Sequence, residues 1–325
     1  MELTTKTSGK KPGIRAVHSV DRVVFTVPDL QDAENFYSDF GLDVVHADGR
    51  LHLKTFDNPQ IWAEIIKGEA PKRLQFLRFG IFAEDEAYFA QKVRDLGLAT
   101  APHPLGGKDG IWLNGPEGFP LQLVVADKAS PSQRSSPTVV APVAPGAGAA
   151  PPRSKAPRIK PRHLSHVLLF TSDVHRGIAF YRDVLGLKLS DHSGDGIAFM
   201  HGAHGSDHHL VAMAKSHATG MHHLSWDVGS VNEIGLGAEH MKDKGHTQGW
   251  GVGRHVVGSN YFYYVRDPWG SWCEYSFDID HIPSSLDWVA ADHPGEDSFY
   301  AWGPGVPADF VTNHEYPLAE SLFQT

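Results

Sequence analysis

The chain of 325 residues contains a single cysteine, so no intramolecular disulfide can form. We therefore expect a reducing, cytoplasmic environment. No apolar run approaches the ~20 residues of a membrane-spanning helix, and residues 1–15 lack the apolar core of a signal peptide. The net charge of −9 disfavours nucleic acid or anionic membrane as a partner.

Histidine, by contrast, is abundant. The 21 histidines suggest metal or proton chemistry, but they also make chance histidine pairs common. The proximity of two histidines therefore carries no weight unless other features of the chain select them.

An internal repeat organises the sequence. A strand, a helix and three short strands follow one another from residue 16, and the same order returns from residue 163. Phe36-Tyr-Ser-Asp-Phe-Gly-Leu42 recurs with one insertion as Phe180-Tyr-Arg-Asp-Val-Leu-Gly-Leu187, and Gly115-Pro-Glu-Gly118 recurs as Asp267-Pro-Trp-Gly270. The pattern predicts an α+β fold of four βαβββ modules, two in each half of the chain.

The composition sets the expected boundaries. Residues 128–162 hold eight prolines and seven Lys or Arg with no acidic residue, which is typical of a semi-rigid, disordered linker. We expect a disordered leader over 1–15, a module pair over 16–127 and a second pair over 163–281. Residues 282–325, rich in aromatic side chains, are expected to pack across the second pair and to cover its site or form a subunit contact.

Three ligand-type side chains lie on separate predicted strands of the second half: His166, His223 and Glu274. Two histidines and one carboxylate form the facial triad that holds divalent iron and leaves other coordination positions open, and Mn(II) suits the same ligands. Aligning the repeats places Asp21, Phe76 and Gln122 at the corresponding positions of the first half. The first half therefore has the same frame without the ligand set.

Four motifs of the second half are specific: Met221-His222-His223, Gly253-Arg-His255, Tyr264-Val-Arg-Asp-Pro-Trp-Gly270 and Cys273-Glu274-Tyr275. Through them, and over residues 16–281, the chain resembles the vicinal oxygen chelate superfamily and, within it, the type I extradiol ring-cleaving dioxygenases. The resemblance implies two open barrel-like domains, of which only the second holds metal, and assembly as a homo-oligomer. It also implies that the substrates are a catechol-type aromatic diol and O2.

The resemblance further implies three proton carriers beside the metal. His209 would be the acid and the hydrogen-bond donor to bound dioxygen, and His255 and Tyr264 would orient and deprotonate the catechol. His222 precedes His223 on one strand, so it is expected to face the other way. Four aromatic side chains are candidates for the pocket wall: Phe199, Trp250, Trp269 and Trp272.

Three other functions fit the same frame, the last of them less well. A glyoxalase-type isomerase or hydrolase would take four ligands from both modules, and a bleomycin-resistance-like binding protein would hold no metal. A dioxygenase of keto acids, similar to the hydroxyphenylpyruvate dioxygenases, is less favoured because His255 and Tyr264 would have no clear use.

Overall fold

The computed structural model describes residues 9–139 and 142–317. Part of the predicted leader, residues 1–8, and the end of the C-terminal segment, residues 318–325, lie outside the described residues. No helix in the described ranges is both long enough and apolar enough to span a bilayer.

The first half contains two modules on one seven-stranded sheet with the order β2-β3-β4-β1-β5-β7-β6. Its elements are β1 (Ser19–Val27), α1 (Leu30–Phe40), β2 (Asp43–Ala47), β3 (Arg50–Lys54), β4 (Ala63–Lys67), β5 (Arg73–Ile81), α2 (Glu86–Asp95), β6 (Ile111–Asn114) and β7 (Pro120–Val125). In the second module one strand is reduced to a single bridge between Ala99 and Leu113. The remaining module has the full βαβββ order.

The second half repeats this arrangement and completes both modules. Its elements are β8 (His163–Thr171), α3 (Val174–Asp183), β9 (Lys188–Ser193), β10 (Ile197–His201), β11 (Ser206–Asp207), β12 (Val211–Lys215), β13 (Gly220–Asp227), α4 (Val231–Asp243), β14 (Gly249–His255), β15 (Tyr261–Arg266) and β16 (Trp272–Phe277). Beyond these lie β17 (His281–Ile282), β18 (Ala291–Asp292), α5 (Gly295–Ser298) and β19 (Tyr300–Trp302).

The C-terminal segment joins the two edges of the second sheet. That sheet has the order β18-β9-β10-β12-β8-β13-β16-β15-β14-β19, so β18 pairs with one edge and β19 with the other. The residues between β18 and β19 therefore cross from one edge of the open sheet to the other. This crossing brings the segment over the concave face that carries the site.

Residues 128–139 and 142–162 contain no strand, and their one helical element is a short turn at Arg153–Lys155. Their contacts reach both halves of the chain. Ser130 is buried and bonds the carbonyl of His18 at 2.6 Å, while Arg162 bonds Asp227 at 2.6 Å. The segment thus lies against the module pairs over much of its length.

Local sequence explains how α1 is positioned. The Asp29 side chain accepts from the backbone N–H groups of Gln31 and Asp32, and Gly41 ends the helix with a φ of 105°. The buried face of α1 includes Phe40, whose ring stacks on Tyr275 of the second half at a centroid distance of 3.9 Å. A buried ion pair between Lys72 and Asp267 also joins the halves.

The hydrogen-bond register of the two halves is the same, including the irregularities. β1 pairs with β5 with register shifts between Val20 and Arg22 and between Val24 and Phe25, and β8 pairs with β13 with shifts at the same two places. Arg22 pairs with Arg78, as His166 pairs with Ser225. The prediction that Asp21 corresponds to His166 is therefore wrong by one residue, because a bulge at Asp21 turns Arg22 toward the concave face.

The other two correspondences agree with the register. Arg78 pairs with Gln122, just as Ser225 pairs with Glu274, so Gln122 occupies the place of Glu274. Phe76 occupies the place of His223 by the same count. Arg22, Phe76 and Gln122 together line a cavity on the concave face of the first sheet.

Candidate metal centre and active site

The structure brings His166, His223 and Glu274 together on three neighbouring strands, β8, β13 and β16. Their ligand atoms all lie within 4.8 Å of one another. Glu274 Oε2 lies 3.2 Å from His166 Nε2 and 3.5 Å from His223 Nε2. All three side chains are buried.

Hydrogen bonds behind His166 fix which of its nitrogens faces the site. Ser165 donates its hydroxyl proton to Asp207 Oδ2 at 3.0 Å, and the Ser165 oxygen lies 3.3 Å from His166 Nδ1. That oxygen therefore accepts from Nδ1–H of His166, which leaves a lone pair on Nε2. The ring is thus presented to the site as a ligand, since metal-binding histidines commonly anchor their second nitrogen in this way.

His222 does the same for His223. The Phe310 carbonyl can only accept, so His222 donates to it from Nε2 at 2.7 Å. Burial lowers the pKa of His222 to about 4, which keeps the ring neutral and makes its Nδ1 an acceptor. His223 Nδ1, 2.7 Å away, is therefore the donor, and its Nε2 carries the lone pair.

The prediction that His222 faces away from the site is wrong. A register shift between Met221 and His223 places a bulge at His222, and strict alternation of side chains is lost there. The His222 and His223 rings lie edge to face with centroids 4.9 Å apart, and both line one cavity.

The charges and unpaired atoms of the triad fit a cation. Burial raises the pKa of Glu274, but hydrogen bonding to the carboxylate, with Ser225 among the donors, holds the pKa below its ordinary value. Burial, aided by His222 and His166, lowers the pKa of His223 well below its ordinary value, so the ring is neutral. Glu274 Oε2 and His223 Nε2 are buried without any hydrogen-bond partner. Lone pairs converging around a carboxylate are costly unless a metal ion lies between them.

His255 and Tyr264 form a hydrogen-bonded pair beside the triad. His255 Nδ1 donates to the Phe299 carbonyl at 2.8 Å, so its Nε2 accepts from the Tyr264 hydroxyl at 2.9 Å. Burial and the charge of Glu274 raise the pKa of Tyr264 well above its ordinary value. Tyr264 is therefore a phenol that donates, and neutral His255 is its acceptor.

His209 lies on the other side of the triad. Its ring centroid is 4.0 Å from that of His166 and 4.9 Å from that of Phe199. Burial and neighbouring His166 lower the pKa of His209 well below its ordinary value. The structure thus brings all six sequence-predicted site residues to one place.

A largely apolar cavity opens over these groups, with about 610 Å³ of empty space, part of it open to solvent. Besides the histidines and Tyr264, its lining consists of Leu168, Ile197, Phe199, Ala214, Val257, Asn260, Ser298, Phe299, Phe310 and Val311. Of the four predicted aromatic wall residues, only Phe199 is among them. Trp250 instead stacks behind Tyr264 at 5.5 Å.

The sequence reasoning missed two kinds of site residue. Asn260 donates from its amide to Glu274 Oε1 at 3.1 Å and to Ser276 Oγ at 2.9 Å, and so orients the carboxylate. The sequence signal for Asn260 was its position immediately before β15, four residues before Tyr264. Phe299 and Phe310 come from the C-terminal segment, which was expected to pack across the second module pair, although neither was named as a site residue.

Comparisons with known proteins show the family and the fold to which this chain is similar. Residues 163–275 match the family model of the Glyoxalase/Bleomycin resistance protein/Dioxygenase superfamily. Metapyrocatechase 2 of Cupriavidus necator is 49% identical over 92% of this chain and 93% of its own length. A Mn(II)-bound glyoxalase from Novosphingobium aromaticivorans has a similar fold, with a TM-score of 0.73, 23% identity and coverage of 96% and 99%. An extradiol ring-cleaving dioxygenase from Brevibacterium fuscum gives a TM-score of 0.72 at 19% identity, with coverage of 96% and 87%.

Paired βαβββ modules with a buried triad in the second pair define a metal-dependent enzyme of the vicinal oxygen chelate superfamily. Within it, the chain belongs to the extradiol ring-cleaving dioxygenases, as the metapyrocatechase relative shows over nearly its whole length. It is therefore an oxidoreductase that depends on a catalytic metal ion.

Proposed function

We propose that this enzyme cleaves a catechol bearing a small, uncharged substituent, beside its two hydroxyls, with O2 and a single Fe(II). The observation that carries the proposal is the pair of buried, unpaired atoms, His223 Nε2 and Glu274 Oε2, beside an apolar cavity that His223 lines. Among the described residues, the group of converging ligand atoms has three members, not the four of the glyoxalase pattern. This favours ring cleavage over isomerisation or hydrolysis.

His166, His223 and Glu274 would hold the metal. When bound, Fe(II) supplies a redox-active Lewis acid with open positions for both reactants. The ligands alone do not distinguish Fe(II) from Mn(II), so the choice rests on two imidazoles and one carboxylate being the set typical of non-haem iron oxygenases.

The residues around the triad bind and orient the diol and move its protons. The Tyr264 hydroxyl, held by His255 Nε2 at 2.9 Å, lies beside Glu274, where one catechol hydroxyl would lie. Because His255 Nε2 is an acceptor, a proton from the substrate can pass through Tyr264 to His255. His209, opposite this pair, is the proton carrier on the dioxygen side.

The apolar wall selects the substituent on the ring. Leu168, Ile197, Phe199 and Val257 offer no hydrogen bond, and no Lys or Arg lines the cavity among the described residues. Arg254 bonds Ser259 and Tyr261, and Arg266 bonds Asp309, so neither reaches a ligand carboxylate there. An alkyl or halogen substituent fits this wall, whereas a carboxylate would be buried without a partner.

The proposal is tested by anaerobic reconstitution with Fe(II) or Mn(II), followed by a panel of catechols and measurement of oxygen uptake and the yellow ring-opened product. We expect cleavage of catechol and alkylcatechols with Fe(II), and at least tenfold lower kcat/KM for carboxylated catechols. The His223→Ala variant should lose metal and activity, whereas His46→Ala, at an exposed position, should retain both. No cleavage of any catechol by the iron-loaded wild type would refute the proposal.

We also propose a cytoplasmic homo-oligomer. The single cysteine, Cys273, is a buried free thiol, and a free thiol is typical of the reducing cytoplasm. Light scattering of the purified protein tests the assembly, since a monomer mass at micromolar concentration would exclude a stable oligomer.

A further inference from the structure

We propose that Asp191 and His208 are positioning residues that hold His209 in the tautomer with hydrogen on Nδ1, so that His209 presents Nε2 to the cavity as a hydrogen-bond acceptor. The inference rests on the proposed role of His209 beside the metal and makes that role more specific. In the resting enzyme His209 would accept a hydrogen bond from a substrate hydroxyl or water. It could then act as an acid only after gaining a proton.

The first observation is an unbroken chain of contacts. His209 Nδ1 lies 3.1 Å from His208 Nδ1, and His208 Nε2 lies 2.8 Å from Asp191 Oδ2. The other Asp191 oxygen accepts from Ala291 N at 2.8 Å and lies 3.1 Å from His293 Nε2. His208 and His209 are buried, and His293 has 28% of its side chain exposed at the outer end.

The direction of each hydrogen bond follows from the charge of Asp191. Burial raises the pKa of Asp191, but hydrogen bonds from His208 and Ala291 lower it more, so the group is an ionised carboxylate. A carboxylate only accepts, hence His208 Nε2 carries a hydrogen. A His208 ring that carries this single hydrogen has only a lone pair on Nδ1, and His209 Nδ1 then donates to it. The remaining nitrogen of His209, Nε2, then carries the lone pair.

A second pair of consecutive histidines has the same hydrogen-bond arrangement on the opposite side of the site. His222 and His223 are also consecutive, also joined through their Nδ1 atoms, and the first is also anchored through Nε2, in that case by the Phe310 carbonyl. There the arrangement presents the lone pair of His223 to the metal site. His208 and His209 repeat it with a carboxylate as the anchor.

The C-terminal segment restrains Asp191 and His208. Trp288 donates from its indole to the Ser190 carbonyl at 2.9 Å and packs edge to face on the His208 ring at 5.5 Å. Asp191 and His208 therefore have little freedom to reorganise, and the orientation of His209 is set before any substrate binds.

The direct test is 15N NMR of histidine side chains in protein loaded with diamagnetic Zn(II), with the His209 signals assigned by their loss in His209→Asn. We expect a protonated Nδ1 and an unprotonated Nε2 for His209 in the wild type. A protonated Nε2, in either the other neutral tautomer or the imidazolium, overturns the inference. This readout does not depend on turnover.

Kinetics of matched variants supply the second test. His208→Leu removes the acceptor and should lower kcat by about 10- to 100-fold with unchanged metal content and KM. His208→Gln keeps an acceptor oxygen and should recover most of the loss. His18→Leu removes a buried histidine of the first half that does not line the cavity, and should leave kcat within about twofold. Equal losses in His208→Leu and His208→Gln, or a kcat in His208→Leu equal to wild type, would overturn the inference.

The two proposals fail separately. If catechols are cleaved but His209 carries hydrogen on Nε2, the ring-cleaving function stands and the tautomer inference is overturned. If His209 carries hydrogen on Nδ1 but no catechol is cleaved, the tautomer inference is supported and the proposed function is refuted.

Discussion

Glu315 anchors the C-terminal segment through a buried carboxyl group whose charge should make the stability of the fold depend on pH. Its oxygens accept from Leu74 N of the first sheet at 2.8 Å and from Met221 N of the second at 2.9 Å. Burial raises the pKa of Glu315 from 4.5 to about 7, against the opposing effect of these N–H groups and of Lys72 and Arg73. Only 2% of the residue is exposed.

The sign follows from proton binding. The folded chain holds the Glu315 proton more tightly than the unfolded chain does. Between the unfolded and the folded pKa of Glu315, the folded chain therefore binds more protons, and the free energy of unfolding falls as pH rises. With folded and unfolded pKa values of about 7 and 4.5, the Glu315 contribution falls by about 2.5 kcal/mol from pH 5 to pH 8. Glu315→Gln removes this titration. The substitution also places the NH2 group of the Gln amide against one of the two backbone N–H donors. This unpaired contact lowers the free energy of unfolding by about 1–3 kcal/mol at every pH.

The assay is urea unfolding of wild type and Glu315→Gln at pH 5 and pH 8, at equal metal loading. The stability advantage of the wild type should shrink by about 2.5 kcal/mol between the two pH values. Other titrating groups are common to both proteins and cancel in this difference. An advantage that is constant within about 0.5 kcal/mol, or that grows with pH, would refute a raised pKa at Glu315.

Three further predictions concern the site and the contact between the halves. His222→Leu should lower metal affinity by about 10- to 100-fold, measured by competition with a chromogenic chelator, because His223 loses the acceptor that fixes its tautomer. Tyr264→Phe should keep its metal but lose about 10²- to 10⁴-fold in kcat, and unchanged turnover would exclude Tyr264 as a proton carrier. Lys72→Met should lower the free energy of unfolding by about 3–5 kcal/mol because it leaves Asp267 charged and buried without its partner. A change below about 1 kcal/mol in urea unfolding would contradict that burial cost.

The frame and the residues of the candidate site could be predicted from the sequence because a repeat supplies its own control. Gln122 at the place of Glu274 indicated that the fold does not require an acid there, and the structure pairs these residues identically with β5 and β13. Strand and helix order followed from apolar periodicity and from end signals such as Gly41.

Side-chain facing was less predictable wherever a strand carries a bulge. Simple alternation assigned Asp21 rather than Arg22 to the concave face and sent His222 away from it. Both errors lie at register shifts, which depend on hydrogen bonds between strands distant in sequence. The role of Asn260 and the pairing of the C-terminal segment with both edges of the second sheet likewise depend on tertiary contacts that no local pattern encodes.

The equal register of the two halves shows that the difference between the candidate metal site and its counterpart in the first half extends beyond three residues. The residue at the place of Ser165, which anchors His166, is Asp21, and the residue at the place of His222, which anchors His223, is Gln75. In the first half, therefore, the groups that would set histidine tautomers differ as well as the ligands themselves. Because a histidine ligates only through an unprotonated nitrogen, the site is better described as five coupled positions on one frame than as three.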